Sequence, residues 1–238
     1  MISAKLIIPA ITLTTMPLAA SADITHLEDN RNFNSIIDIF GDQDSPSIHE
    51  STIVEYHNIN QQLSHTFSNT ITNQASSNIE FESTITNTRF YSNAFASAST
   101  TTLSGNRFVG VNTAFGNFIT FTLDTTTTLQ VEGYLTGSGY LGGSMVSFSK
   151  LVSNQDTADI VYRYLTFSGT INVQDTITLE AGEYSFQTMS FASAFSSSPY
   201  TSESSEASHE ITVTVVPTPA SSALLFLASS TLLIRRRG

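Results

Sequence analysis

Acidic and aromatic side chains are the groups in this 238-residue sequence whose types suit ligand binding. Asp42 and Asp44 follow Gly41 in an acidic segment, and carboxylate oxygens are ligands that suit Ca²⁺. The segment lacks the residue order of an EF-hand. We therefore favour a solvated turn there, with a calcium site at Asp42 and Asp44 as the alternative, and we expect no other cofactor.

Two tyrosines are the preferred candidates for contact with an organic ligand. Tyr134 and Tyr140 flank the glycine-rich segment LTGSGYLGGS, which the composition predicts to be a flexible loop between strands. A tyrosine ring offers a flat apolar face with a polar end, which suits a sugar. The alternative is a glycine-rich turn without a ligand, beside aromatic rings that fill the core.

The sequence contains no recognisable catalytic motif, so we predict no catalytic residues and no enzymatic activity. The nucleophile-elbow pattern G-x-S-x-G is absent, and His49-Glu50 is not followed by the second histidine of H-E-x-x-H. The chain has no cysteine, which excludes disulfides and thiolate metal sites. A secreted hydrolase that pairs two distant carboxylates is the least favoured alternative.

The charge of the chain excludes a class of partners. Between residues 23 and 216, five cations stand against all twenty acids of the sequence. A surface this acidic repels the phosphates of nucleic acids and of anionic lipids. We therefore expect no nucleic-acid partner.

The first 22 residues have the pattern of a secretory signal peptide. Lys5 precedes an apolar run from Leu6 to Met16, and the small residues Ala20 and Ala22 suit the pocket of a signal peptidase. We predict cleavage after Ala22 and export of the chain.

The C-terminal segment combines a proline pair, an apolar run and three arginines. The run from Pro219 to Ile234 is about 24 Å long as a helix, which is marginal for a bilayer, and Arg235, Arg236 and Arg237 place the end in the cytoplasm. We therefore predict a transmembrane helix that anchors the chain temporarily in the inner membrane.

This tail carries a family resemblance. The order Val216, Pro217, Thr218, Pro219, Ala220, then the apolar run, then Arg235 to Arg237, resembles the PEP-CTERM sorting signal of Gram-negative bacteria. Thr218 stands where that family usually has glutamate. The resemblance implies recognition by an exosortase-type enzyme, removal of the tail, and delivery to the cell surface or the exopolysaccharide matrix.

Apolar residues alternate with polar ones along most of the chain, which predicts half-buried strands. Eight to ten short strands predict an all-β fold, an antiparallel β-sandwich resembling a jelly roll. DIVYRYLTF (159–167) is apolar on both faces and predicts a central strand. TITLEAGEYSFQTMSF predicts two strands joined by a tight hairpin at Ala181-Gly182. The acidic run SSSPYTSESSEASHE predicts a solvated loop.

Three further patterns bear on the fold. Phe33, Ile36, Ile37 and Phe40 have helical spacing, and a short helix there is as well supported as its absence. The phrases NAFASAST and SFASAFSSS look related and predict equivalent strands in two sheets. Residues 120–191 open on F-x-L…T-L-x-V-x-G and close with L-x-A-G-x-Y-x-F. With these motifs the segment resembles the small β-sandwich modules of secreted bacterial proteins, including the pre-peptidase C-terminal type.

Four segments follow from these patterns: a signal peptide (1–22), a polar N-terminal segment with the short helix as an option (23–50), a β-sandwich (51–216) and a sorting tail (217–238). The expected function is that of a non-catalytic structural or interaction protein at the cell surface or in the extracellular matrix. Its expected partners are signal peptidase, the exosortase-type enzyme, the inner membrane and exopolysaccharide. The alternative is a carbohydrate-binding module for that polysaccharide.

Overall fold

The computed structural model describes residues 24–40, 48–56, 62–71, 75–102, 108–151, 159–198 and 200–217. They belong to one compact unit, Ala22–Pro217. The described residues contain twelve strands and no helix. In chain order the strands are β1 (Ile24–Phe40), β2 (Ile48–Tyr56), β3 (Gln62–Ile71), β4 (Ala75–Ile85), β5 (Arg89–Thr101), β6 (Phe108–Leu123), β7 (Thr127–Gly139), β8 (Leu141–Lys150), β9 (Asp159–Thr166), β10 (Gly169–Leu179), β11 (Gly182–Ser196) and β12 (Ser202–Val216).

The strands form two antiparallel six-stranded sheets that pack face to face as a β-sandwich, which confirms the all-β prediction. Sheet A has the order β2-β1-β6-β11-β8-β9, and sheet B has the order β10-β7-β12-β5-β4-β3. Side chains alternate between the interior and the outer face, so each strand with described side chains contributes one set of residues to the core.

One end of the interior, which we name the aromatic end, is filled by large rings. Phe186 lies between Phe90 and Phe148, with ring centroids 5.4 and 4.9 Å away. Phe121 stacks on Tyr184 at 5.9 Å. These rings are at most 2% exposed and pack with Ile, Leu and Val from both sheets, which makes this end the main hydrophobic core.

The opposite end, which we name the alanine end, is filled by small side chains. Its buried cluster consists of Ala75, Ala96, Ala98, Val109, Val111, Ala192 and Ala194. NAFASAST lies in β5 and SFASAFSSS in β11 (with the following turn), so the two related phrases occupy different sheets. Their alanines meet in this cluster, which explains why both phrases place a small residue at every second position.

Glycines allow β8 to cross close to sheet B. A side-chain carbon on Gly142 would lie 2.2 Å from the carbonyl oxygen of Glu206, and one on Gly137 would lie 2.5 Å from the carbonyl oxygen of Gly142. The segment LTGSGYLGGS is therefore not a flexible loop as predicted. It is the end of β7 and the start of β8, joined through Tyr140 alone, and its glycines serve close backbone approach.

Four other predictions need correction. The optional short helix is wrong, because Phe33 to Phe40 lie in β1, which pairs with β2 and β6 on its two sides. The sandwich therefore starts at Ile24 and includes most of the segment predicted to precede it. Backbone pairing with two neighbours, which β-branched residues favour, outweighs the helical spacing.

The strand DIVYRYLTF is an edge strand rather than a central one. It forms β9, the last strand of sheet A, and Val161 is 46% exposed. Tyr162 and Tyr164 face the interior, so only one face packs against the core. An apolar outward face gives the same sequence pattern whether or not another element covers it.

The predicted hairpin and the predicted solvated loop also differ from the structure. A turn does separate β10 from β11 at Glu180-Ala181, and Gly182 has φ +153°, but the strands enter different sheets and form no hairpin. The run predicted as a solvated loop becomes β12 from Ser202 onward. Its inward residues Ser205, Ala207 and His209 are buried, so low-complexity composition concealed a regular alternation.

Candidate functional site

The outer face of sheet B is the polar surface on which the candidate binding residues lie. Its outward positions on β4, β5, β7, β10 and β12 carry mostly Thr, Ser, Asn, Gln and Glu, with three aromatic residues, Tyr91, Phe95 and Tyr134. Neighbouring strands lie about 4.8 Å apart, so outward side chains on adjacent strands of this face lie close together. Flat aromatic and hydrogen-bonding groups on one surface suit a polyhydroxylated ligand.

Glu210 lies at the centre of this face. On β12 it pairs with Tyr134 of β7 on one side and with Asn93 of β5 on the other. Asn172 of β10 pairs with Tyr134 in turn, so one row across the sheet reads Asn172, Tyr134, Glu210, Asn93. This row places donors and acceptors beside one aromatic ring.

The electrostatics of the face are acidic. Burial raises the pKa of the Tyr91 phenol above its usual range, and the carboxylates of Glu210 and Glu82 raise it further. The Arg89 guanidinium lies 5.5 Å from the centroid of the Tyr91 ring and covers part of it. The ring of Tyr134 is therefore more suitable than that of Tyr91 for stacking on a ligand.

A shallow groove of about 410 Å³ adjoins this row. Phe95 forms one side, Glu206 supplies a carboxylate, and the hydroxyls of Thr136 and Ser208 are hydrogen-bonded to each other at 2.7 Å. Its remaining lining comes from the glycine-rich end of β7 and from the β9–β10 turn: Gly137, Ser138, Gly139, Ser168, Gly169 and Thr170, with Ala207 of β12. Its volume is within the range of small-molecule sites.

The structure does not bring the two predicted tyrosines into one pocket. Tyr134 is half-buried on the outer face of β7, whereas Tyr140 is 58% exposed in the connection between β7 and β8. Neither tyrosine lines the groove, although Thr136 to Gly139, which lie between them, do. Ligand binding at Tyr134 and Tyr140 stays a prediction.

Most of the other predicted site residues lie outside the described part of the chain. These are Asp42 and Asp44 of the calcium alternative, Ala20 and Ala22 of the cleavage site, and Thr218, Pro219, Ala220, Arg235, Arg236 and Arg237 of the sorting tail. Val216 is the last residue of β12, and Pro217 follows it, exposed. Within the described ranges, no group of three or more acidic or histidine side chains is arranged to hold a metal ion.

The sequence interpretation missed a buried histidine network between the sheets. His209 of β12 is 0% exposed, and its Nε2 and Nδ1 lie 2.8 Å from the hydroxyl oxygens of Ser92 and Ser190. Thr188 donates to the Ser92 hydroxyl at 2.9 Å. Desolvation lowers the pKa of His209 to about 3, so the ring is neutral at ordinary pH.

This Ser–His pairing is structural rather than nucleophilic. Both serine hydroxyls are 0% exposed, so no substrate can reach them. The alternation along β12 could have revealed the network. His209 occupies the same face of the strand as the apolar residues Ile211, Val213 and Val215, which predicts that it is buried.

A second buried polar group links β1 to β4. Arg31 is 0% exposed and makes a bidentate pair with Asp29, at 3.0 Å from Nε to Oδ1 and 2.5 Å from Nη2 to Oδ2. Its Nη1 donates to the Ser83 hydroxyl of sheet B at 2.9 Å. Burial lowers the pKa of Arg31, and the Asp29 carboxylate opposes that shift. The pair and its hydrogen bond tie the N-terminal strand to the opposite sheet.

Comparison with known proteins gives no family: no protein-family model matches the chain, and no curated protein matches it. Within the described residues, no helix has the length and apolar character needed to cross a membrane.

Proposed function

We propose that this chain is an exported, non-catalytic structural or interaction protein that an exosortase-type system sorts to the cell surface or the extracellular matrix. The observation that carries the proposal is the position of the folded unit between the two predicted processing sites. The first strand begins at Ile24, two residues after Ala22, and the last ends at Val216, immediately before Pro217. Cleavage at both sites would therefore leave all twelve strands intact.

The strand order supports the jelly-roll form of the sandwich. Within β5 to β12, β5 neighbours β12, β6 neighbours β11, β7 neighbours β10, and β8 neighbours β9. Two Greek keys wrapped around one core produce this order. Strands β1 to β4 then extend both sheets beyond the eight-stranded body. Such a body gives an exported protein a core that needs no disulfide.

The test is the fate of the C-terminus in the producing cells. We expect the mature protein to begin at Asp23, to lack Arg235 to Arg237, and to appear in the surface or matrix fraction. Replacing the three arginines with glutamine should leave the tail unprocessed or move the protein to another fraction. As a matched control, Arg163→Gln on the folded body should be processed normally. Recovery of the native chain with Arg237 in the cytosol would contradict the proposal.

A carbohydrate-binding function is the second candidate, and the row of Asn172, Tyr134, Glu210 and Asn93 favours it. The row lies beside the groove and combines a ring with amide and carboxylate groups. We propose that this surface binds a polysaccharide of the matrix. A neutral sugar chain suits it better than an anionic one, because the face carries several glutamates.

Binding of the mature protein to isolated matrix polysaccharide tests this candidate. Tyr134→Ala should weaken binding by about tenfold, about 1.4 kcal/mol, because truncation of an aromatic anchor in a binding site typically costs more than about 1 kcal/mol. Tyr140→Ala should weaken it less, because Tyr140 lies in the connection between β7 and β8 and is not part of the row. Thr122→Ala on sheet A is the control and should bind normally. Unchanged binding by both tyrosine variants would contradict the proposed binding site.

A further inference from the structure

A half-buried aromatic ring, that of Phe95, forms one side of the groove on the outer face of sheet B. Phe95 lies on β5, where it pairs with Glu80 of β4 on one side and with Ser208 of β12 on the other. Glu206 and Glu210 occupy the diagonal positions on β12, and diagonal neighbours are within reach of aromatic and long side chains. The ring therefore lies among three carboxylates, one of which, that of Glu206, lines the groove itself.

The same strand shows what kind of group such surroundings attract. Tyr91 precedes Phe95 by two outward positions on β5, and it has Glu210 and Glu82 at its diagonal positions. The Arg89 guanidinium covers part of the Tyr91 ring, at 5.5 Å from the centroid. The face of an aromatic ring attracts a cation, and neighbouring carboxylates strengthen that attraction. At Tyr91 the protein itself supplies the cation.

At Phe95 no cation from the described part of the chain covers the ring. The described outward positions of sheet B carry five glutamates and one cation: Glu80, Glu82, Glu132, Glu206, Glu210 and Arg89. The register of β3 adds only Gln, Ser and Thr at the positions that pair with outward residues of β4. Arg89 pairs with Thr214, which is eight residues and therefore about 27 Å from Glu206 along β12. The surroundings of Phe95 thus resemble those of Tyr91, without the guanidinium.

The size and the lining of the groove suit an organic cation that also carries hydroxyl groups. Its volume of about 410 Å³ is in the range of small-molecule sites. Ser208 lines it, and its hydroxyl can donate or accept a further hydrogen bond besides the one that it shares with Thr136. Glu206 is the one charged residue among the lining residues, so an anionic group is disfavoured there.

We propose that the groove binds an amino sugar of the matrix polysaccharide in its protonated form, with the ammonium group against the Phe95 ring and the Glu206 carboxylate. This inference rests on the carbohydrate-binding function proposed above and adds the class of sugar. The groove adjoins the row that contains Tyr134, so one polysaccharide chain can contact the row with a neutral unit and the groove with an amino-sugar unit.

A sugar suits this surface better than a basic peptide does. A lysine side chain offers the same ammonium group, but it has no hydroxyl groups for the amide side chains of Asn172 and Asn93 in the adjoining row. An amino sugar has both kinds of group on one ring. Hydrogen bonds to the hydroxyls and attraction of the ammonium group therefore act on the same ligand.

Two oligosaccharides with the same backbone test the proposal: a glucosamine tetramer and its fully N-acetylated form. In titration calorimetry the mature protein should bind the glucosamine tetramer at least about fivefold more tightly, because N-acetylation removes the positive charge. Phe95→Leu and Glu206→Gln should each reduce that preference by about two- to fivefold. Phe95→Tyr keeps an aromatic ring and should retain the preference.

Glu132→Gln is the matched control for the charge. It removes one carboxylate from an outward position of β7 that pairs with Thr212, six residues and therefore about 20 Å from Glu206 along β12. This variant should keep the preference for the glucosamine tetramer. Tyr134→Ala should weaken the binding of both oligosaccharides alike, because its ring lies in the row and not in the groove.

The isolated matrix polysaccharide separates failure of this inference from failure of the carbohydrate-binding function. Chemical N-acetylation of the polysaccharide should weaken its binding to the mature protein. Unchanged binding after N-acetylation would overturn the inference and leave the carbohydrate-binding function standing, whereas no binding of the untreated polysaccharide would overturn both. Equal affinity for the two tetramers, binding of neither, or tighter binding of polylysine than of the glucosamine tetramer would also overturn the inference.

Discussion

The two ends of the interior hold the same pair of sheets together by different means. At the aromatic end, Phe90, Phe121, Phe148 and Phe186 fill a wide space with rings that contact one another across the sheets. At the alanine end, the side chains are small and polar groups bond directly across the gap: Ser77 to Thr113 at 2.7 Å, and Thr102 to Ser196 at 2.7 Å. The first end depends on buried area, and the second on close approach and directional bonds.

The difference shows how a chain rich in Ser, Thr and Ala forms a stable sandwich without disulfides. Buried hydroxyls are costly only when they lack partners, and several of those described here bond to the opposite sheet, whereas the Thr100 hydroxyl has no partner. The Ser205 hydroxyl, for example, donates to the Ser193 carbonyl at 2.6 Å, and the Ser144 hydroxyl donates to the Ser208 carbonyl at 2.8 Å. The two ends should therefore respond oppositely to changes in side-chain volume.

Shortening a ring at the aromatic end should have the largest effect. Phe186→Ala leaves a cavity between Phe90 and Phe148, and we expect it to lower the free energy of unfolding by about 3–5 kcal/mol. Val111→Ala, the matched truncation at the alanine end, removes two carbons and should cost about 1.6 kcal/mol. Urea unfolding measures both. Equal losses of stability in the two variants would contradict the conclusion that the aromatic end depends more on buried area than the alanine end does.

Enlarging a side chain should matter most at the alanine end. Ala96→Leu adds three carbons between closely approaching sheets and should lower the free energy of unfolding by about 1–3 kcal/mol. The control is Ser97→Leu on the outer face of the same strand, which should stay within about 0.5 kcal/mol of wild type. A stabilised Ala96→Leu protein would reveal unfilled space there.

Acid should lower the free energy of unfolding through His209, which lies in the buried hydrogen-bond network between the sheets. The pKa of His209 is about 3 in the folded protein and 6.5 in the unfolded chain. Its contribution to the free energy of unfolding is therefore fully present above pH 6.5 and decreases as the pH falls toward 3. One proton corresponds to a slope of at most about 1.4 kcal/mol per pH unit. His209→Gln should lack this component, so the difference between the two pH profiles isolates it. Parallel profiles would show that His209 does not titrate on unfolding.

Removal of a single inter-sheet hydroxyl should give the smallest effect. Thr188→Val deletes the donor to the Ser92 hydroxyl while keeping the side-chain shape, and we expect a loss of about 0.5–1.5 kcal/mol. Thr122→Val, on the outer face of β6, is the control and should change stability by less than about 0.5 kcal/mol. A loss of 3 kcal/mol or more would mean that the network around His209 acts as one cooperative unit.

Alternation in the sequence predicted the faces of the strands more reliably than their neighbours. Phe121, Leu123, Leu129, Val131 and Leu135 share inward parity, and all are buried as expected. The pattern of β9 predicted apolar faces but not its place at the edge of sheet A. The same holds for the candidate site. The sequence analysis selected Tyr134 from its residue type, but it did not predict that Glu210 and Asn93 would lie beside it on neighbouring strands.

The sequence by itself determined that the described part of this protein consists of strands, because a period of two leaves each strand with one dry face that must be covered. It also determined which side chains share a face, including the alanines of β5 and β11. Only the tertiary structure decided which faces meet. His209 and Ser92 are 117 residues apart, and their contact depends on β12 lying beside β5 in sheet B. Local periodicity contains no information about a neighbour at that distance, since pairing is set by how all the faces fill the interior together.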